Sequence, residues 1–121
     1  MKKYVDGYVI PIKLENVEKY RKMAEKVGKI WIWHGALRVV ECVGDDLNIE
    51  KGVSFNQSAG ALNHETVIFS WIEFDSKEHR DKVKAAVTAD PRMNEILDPG
   101  DLMPFDDSRR IYGGFKILMY L

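Results

Sequence analysis

One cysteine, Cys42, and three histidines are all that 121 residues supply. A lone thiol excludes an intrachain disulfide and the usual thiolate zinc sites. Excess charge of one sign is also missing. The chain carries 18 basic and 19 acidic residues, a net charge of -1. Nucleic-acid binding leaves a clear surplus of Lys and Arg, so no nucleic-acid partner is expected. No apolar run approaches the roughly 18 residues that cross a bilayer, so no membrane is expected either. The opening Met1-Lys2-Lys3-Tyr4-Val5-Asp6-Gly7 breaks its apolar run too early for a signal peptide. The expected address is the cytoplasm, a reducing compartment that suits a free thiol. A Gly-rich phosphate loop, a dinucleotide fingerprint and a nucleophile elbow are all absent, so no cofactor is implied.

What is present is an ordinary globular balance, 45% hydrophobic and 31% charged. It argues against disorder, and the length suits one domain over residues 1–121. Tyr4–Ile12 reads as a strand, rich in Val, Ile and Tyr, with Pro11 near its end. A helix follows from about Glu15 to His34. Val17, Tyr20, Ala24, Val27, Trp31 and His34 recur at the steps of one buried stripe. Gly28 inside that helix costs about 1 kcal/mol against Ala, and a close approach to the sheet is the expected compensation. Gly35 is a natural stop.

Ala36–Val43 reads as a second strand. Residues 44–64 show no periodicity, and irregular loops of that length are often functional. Glu65–Phe74 is the strongest strand, apolar on both faces. Ser76 caps a helix whose inward stripe is His79, Val83, Ala86 and Val87. Asp90-Pro91 starts a short helix to about Leu97, stopped by Asp98-Pro99-Gly100. Met103-Pro104-Phe105-Asp106 lies in a loop, with its two large apolar side chains tucked onto the core. Arg110–Leu121 reads as the last strand, with Gly113-Gly114 marking a bulge or a close approach to the backbone.

The order β-α-β-β-α-β predicts an α+β fold of ferredoxin-like type, a four-stranded antiparallel sheet with the helices on one face. Side chains alternate along a strand, so the other face also carries large apolar groups. Covering even ~500 Å² at roughly 25 cal/mol per Å² favours association by over ~10 kcal/mol before entropic costs. Two covers are open: a second copy of the chain packed sheet to sheet, or the 44–64 loop folded over the face of a monomer. The homodimer is the simpler.

Several stretches carry a resemblance to a known family. They are Tyr4-Val5-Asp6-Gly7-Tyr8-Val9-Ile10-Pro11, His34-Gly35-Ala36-Leu37, Val40-Glu41-Cys42-Val43, Asp45-Asp46, Phe69-Ser70-Trp71-Ile72 and His79-Arg80-Asp81-Lys82-Val83. Asp90-Pro91-Arg92, Met103-Pro104-Phe105-Asp106 and Ile111-Tyr112-Gly113-Gly114-Phe115-Lys116 complete the set. Together they resemble the YbaA-like family of uncharacterised bacterial proteins over almost the whole chain, departing mainly at 44–64. The resemblance implies a dimeric α+β barrel and names no catalytic residue.

Candidate ligand-binding residues each carry two readings. His34 is either a general base or anion binder at a pocket mouth, or a histidine favoured by the helix C-terminus. His79 either lines the same pocket or is a core histidine bonded to backbone. Asp6 is costly to bury unpaired, and antiparallel pairing of the first and last strands brings it near Lys116. That pair either orients the sheet or, with Tyr8, forms the polar part of a cavity. Glu41 is either an acid or base with a raised pKa, or a solvated residue of an edge strand. Trp31, Trp33 and Trp71 are a pocket wall or plain core. Cys42 has no basic neighbour in sequence to activate it. The three histidines with Glu41 lack metal-ligand spacing, so no metal is expected.

The functional expectation is a small organic molecule bound or transformed between sheet and helices. The alternative is a non-catalytic dimeric module. A pocket of roughly 300 Å³ or more with converging polar groups separates the two.

Overall fold

Ten-residue strands β1 (Tyr4–Lys13) and β3 (Glu65–Phe74) form the centre of the sheet. The computed structural model describes residues 3–97 and 103–121. The strand order is β2-β3-β1-β4, with β2 at Arg38–Val43 and β4 at Ile111–Lys116. Every neighbouring pair is antiparallel. Helices α1 (Val17–Trp33), α3 (Lys77–Ala89) and α4 (Pro91–Ile96) pack on one face. The βαββαβ order and the ferredoxin-like arrangement are therefore as the pattern predicts.

Local chemistry sets the boundaries. Ser76 accepts from the His79 N–H and Asp90 from the Arg92 N–H, the two N-caps expected. Gly35, at φ +114°, turns the chain out of α1. Gly28 faces β2: a Cβ there would stand 3.3 Å from Val39 Cγ1, so the missing side chain brings helix and sheet together. The core beneath is Ile30, Ile72, Phe74, Val83 and Val87 at one end and Ile10, Ile12, Tyr20, Ala24 and Ile68 at the other.

Two expectations change, and one open alternative is decided. Residues 44–64 contain a short helix, α2 (Phe55–Ala59), capped by Ser54 and stopped by Gly60 at φ +68°. Five residues are too few to show a period. Strand β4 stops at Lys116, although the Ile117 N–H still bonds to the Lys3 carbonyl at 3.0 Å. Beyond it Leu118, Met119 and Leu121 stand exposed. No bulge interrupts β4, whose register runs evenly from Ile111 to Lys116. Gly114 instead admits the Tyr4 ring, the close approach that was the other reading. The Asp98-Pro99-Gly100 stop lies outside the described residues.

The face away from the helices is largely uncovered. Its cross-strand rows are Cys42–Phe69–Val9–Ile111, Val40–Trp71–Gly7–Gly113 and Arg38–Glu73–Val5–Phe115. Phe69, Ile111 and Phe115 are exposed. Among the described residues α2 reaches over this face, setting Phe55 5.9 Å from Phe69.

Candidate functional site

On the helix-covered face, one cross-strand row is polar from edge to edge. Glu41 of β2 pairs with Ser70 of β3, Ser70 with Tyr8 of β1, and Tyr8 with Tyr112 of β4. The next row toward one end of the strands holds Val43, Ile68 and Ile10, and the row on the other side begins Val39, Ile72. A cavity of about 220 Å³ lies over the polar row. Its roof comes from α1 through Tyr20, Val27 and Trp31, from Met93 of α4, and from Phe105. Gly28, the glycine that seats α1 on β2, lines it too. The volume falls short of the ~300 Å³ set as the mark of a binding pocket, so size favours the non-catalytic module and the binding reading rests on the polar groups alone; any occupant is a small one.

The Tyr20 hydroxyl donates to Glu41 Oε2 at 2.8 Å. Glu41 sits on an edge strand and the residue as a whole is exposed, the solvated edge position that was the other reading from sequence. Its carboxyl turns inward, and burial pushes the pKa up, against the pull of the Tyr20 and Ser70 hydroxyls. Burial also raises Tyr20, with the neighbouring Glu41 charge adding to it. Tyr8 is pushed up to about 12, again by burial first. Both phenols are therefore hydrogen-bond donors over the physiological range. At the far end Arg110 lies over the aromatic rings, its guanidinium carbon 4.4 Å from the Tyr112 centroid and 5.6 Å from that of Tyr8. Its Nε is 3.2 Å from Asp107 Oδ1 but is not aligned for a hydrogen bond.

Glu41 differs from the buried carboxylates, each of which has an arginine. Asp6 pairs with Arg80, Glu65 with Arg109, Asp90 with Arg92, and Glu73 with Arg38 at 3.9 Å. Among the described residues no Lys or Arg pairs with Glu41. Its hydrogen-bonding neighbours are neutral hydroxyls, which is the arrangement that leaves acceptor capacity for a guest.

Of the residues singled out from sequence, Tyr8, Glu41 and Trp31 line the cavity, and the structure brings none of the others to it. Asp6 is buried as expected, but the predicted Lys116 partner is corrected to Arg80. In the ladder Asp6 stands opposite Gly114 while Lys116, exposed, stands opposite Tyr4. Arg80 comes instead from α3, which crosses above this end of β1, and also stacks on the Tyr4 ring at 4.9 Å. Burial raises the Asp6 carboxyl against the opposing pull of that guanidinium.

His34 and His79 do not share a pocket. His34 Nε2 lies 2.7 Å from Asp90 Oδ2, tying the end of α1 to the cap of α4. Arg92 first, then His34, holds the Asp90 carboxyl below the usual range. His79 Nδ1 accepts from the Asp75 N–H at 2.9 Å, so Nε2 carries the proton, and the ring meets Phe74 edge-on. Trp71 is on the open face, its indole N–H donating to Glu73, and Trp33 is exposed beneath Arg92. Tyr20, Ser70 and Arg110 were not singled out. Tyr20 read as core stripe and Arg110 as a strand end. Ser70 did give a sign, a small polar residue inside the most apolar strand. Among the described residues no group of three His, Cys, Asp or Glu side chains is placed to hold a metal ion. Nor is any described helix long and apolar enough to cross a membrane.

Fold and site together define a ferredoxin-like α+β protein with a small, mostly apolar chamber under its helix layer. The chain belongs to the family described as Protein of unknown function (DUF1428), which matches residues 3–107. It is 43% identical over 117 residues to the uncharacterized protein YbaA of Escherichia coli K12, covering 97% of each chain. YbaA of Shigella flexneri matches to the same extent. A crystal structure of a dimeric ferredoxin-like protein from an uncultured marine organism superposes with TM-score 0.60 at 8% identity, covering 100% of both chains. That likeness is one of fold.

Proposed function

We propose that this protein binds a small organic molecule in the chamber between sheet and helices, as a homodimer joined through the open sheet face. The observation that carries the binding reading is Glu41, an edge-strand carboxylate that is exposed overall but meets the Tyr20 hydroxyl at the wall of the cavity and pairs with no arginine among the described residues. A carboxyl with a raised pKa beside a bound ligand is also equipped to move a proton. The dimer rests on the uncovered rows through Phe69, Ile111 and Phe115 and on the apolar residues that follow β4. The solved neighbour of similar fold is described as dimeric, which supports the same assembly. The cytoplasm suits it, since Cys42, on the open face beside Phe69, stays a thiol there.

A thermal-shift screen across metabolite classes tests the binding reading. The expected result is a ligand that raises the melting temperature of the native chain and not of Glu41→Gln. A non-catalytic module, the other reading, predicts no stabilising ligand in any class. Light scattering at micromolar concentration tests the dimer, and a monomer sinks it.

A further inference from the structure

Resting on that reading of the chamber, we infer that its ligand is a small organic acid carrying a hydrogen-bond donor at its other end. The carboxylate of the ligand meets Arg110, and its hydroxyl or amine meets Glu41.

The two ends of the polar row ask for opposite things. Glu41 is an acceptor whose two oxygens exceed what the Tyr20 and Ser70 hydroxyls supply. Arg110 holds only donors. Among the described residues its Nε is the one buried side-chain nitrogen without a hydrogen-bond partner. A guanidinium stacked on Tyr112 with a donor unmet is preset for a carboxylate, which takes two N–H groups at once. Asp107 competes for the same guanidinium, but its side chain is 67% exposed, so its charge is screened and its contact is misaligned.

Size and wall chemistry narrow the class. An apolar cavity of about 150 Å³ holds benzene. At about 220 Å³ this chamber takes one ring, or a chain of similar bulk, with a substituent at each end. Val27, Trp31, Met93 and Phe105 supply the apolar wall for that body. Glu41 and Tyr8 are two strands apart in one row, roughly 10 Å between backbones. Glu41 lines the chamber at the β2 end of the row and Arg110 lies over Tyr8 and Tyr112 at the other, so the ligand's polar groups belong at opposite ends. Long acyl chains do not fit the volume, and one arginine facing a carboxylate does not suit a polyphosphate.

The test is isothermal titration calorimetry on the full chain with four probes: para-hydroxybenzoate, benzoate, phenol and tyramine. Para-hydroxybenzoate is expected to bind about tenfold or more tighter than each of the other three. Arg110→Gln is expected to erase its advantage over phenol, and Glu41→Ala its advantage over benzoate, with circular dichroism showing both variants folded. Phenol or tyramine binding as tightly as para-hydroxybenzoate overturns the acid assignment. Benzoate binding as tightly overturns the donor. If no probe binds while the thermal-shift screen finds a ligand of another class, the acid assignment falls and the chamber's binding role stands. If neither finds a ligand, both fall.

Discussion

The hydroxyl of Tyr20, midway along α1, is 2.8 Å from Oε2 of Glu41 on the edge strand β2. The contact closes the α1 side of the chamber. It also leaves an acid whose protonation bears on stability. Burial raises the Glu41 pKa above its ordinary 4.5, so the folded state holds that proton more tightly than the unfolded chain. Its contribution to stability is greatest below the unfolded value and declines as pH rises through the folded one.

Glu41→Gln removes that decline. Urea unfolding is expected to show the variant more stable than the native chain near pH 7, with the gap closing near pH 4. Tyr20→Phe works in the opposite direction on the same site. Loss of the donor is expected to raise the Glu41 pKa further and to cost about 1 kcal/mol. Carbon-13 titration of the Glu41 carboxyl checks the first point, and a pKa unchanged by Tyr20→Phe contradicts it.

Asp6 distinguishes two arginine and lysine candidates. Arg80→Met leaves a buried carboxylate unpaired and is expected to cost about 3 kcal/mol. Lys116→Met, on an exposed residue of β4, is expected to stay within about 0.5 kcal/mol of the native chain. Denaturant midpoints compare the pair. Equal losses would return Lys116 to the role the sequence suggested.

The open face is tested by Ile111→Lys. Ile111 is 49% exposed and ends the row Cys42–Phe69–Val9. A charge there is expected to halve the mass seen by light scattering, to the 13.9 kDa of one chain. A dimer that persists in this variant, at the same dissociation constant, places the interface elsewhere.

Glu65 carries the acid limb. Arg109 donates to both its oxygens, at 2.8 and 2.9 Å, and lowers its pKa from 4.5 to about 2. This stabilisation is complete above the unfolded pKa and is lost as pH falls toward the folded one. Arg109→Gln is expected to cost about 2 kcal/mol at neutral pH and to flatten the native chain's loss of stability in that acid window. Unfolding followed by fluorescence from pH 6 down to pH 2 measures both.

Short-range signals were legible in the sequence. Ser76 and Asp90-Pro91 marked helix starts, Gly35 marked a stop, and the apolar run from Glu65 to Phe74 marked the central strand, because caps and alternation depend on residues a few positions apart. The count of apolar faces against helices also followed from strand alternation alone. Helix α2 escaped because Phe55–Ala59 is shorter than two turns. What only the tertiary structure decided is which polar groups meet. Register put Gly114, not Lys116, opposite Asp6, and the crossing of α3 supplied Arg80 from 74 residues away. The packing of α1 on β2 at Gly28 put Tyr20 over Glu41, 21 residues apart in sequence. Local pattern fixes which face a side chain takes. Its partner is set by strand order and helix placement, which depend on the packing of the whole chain.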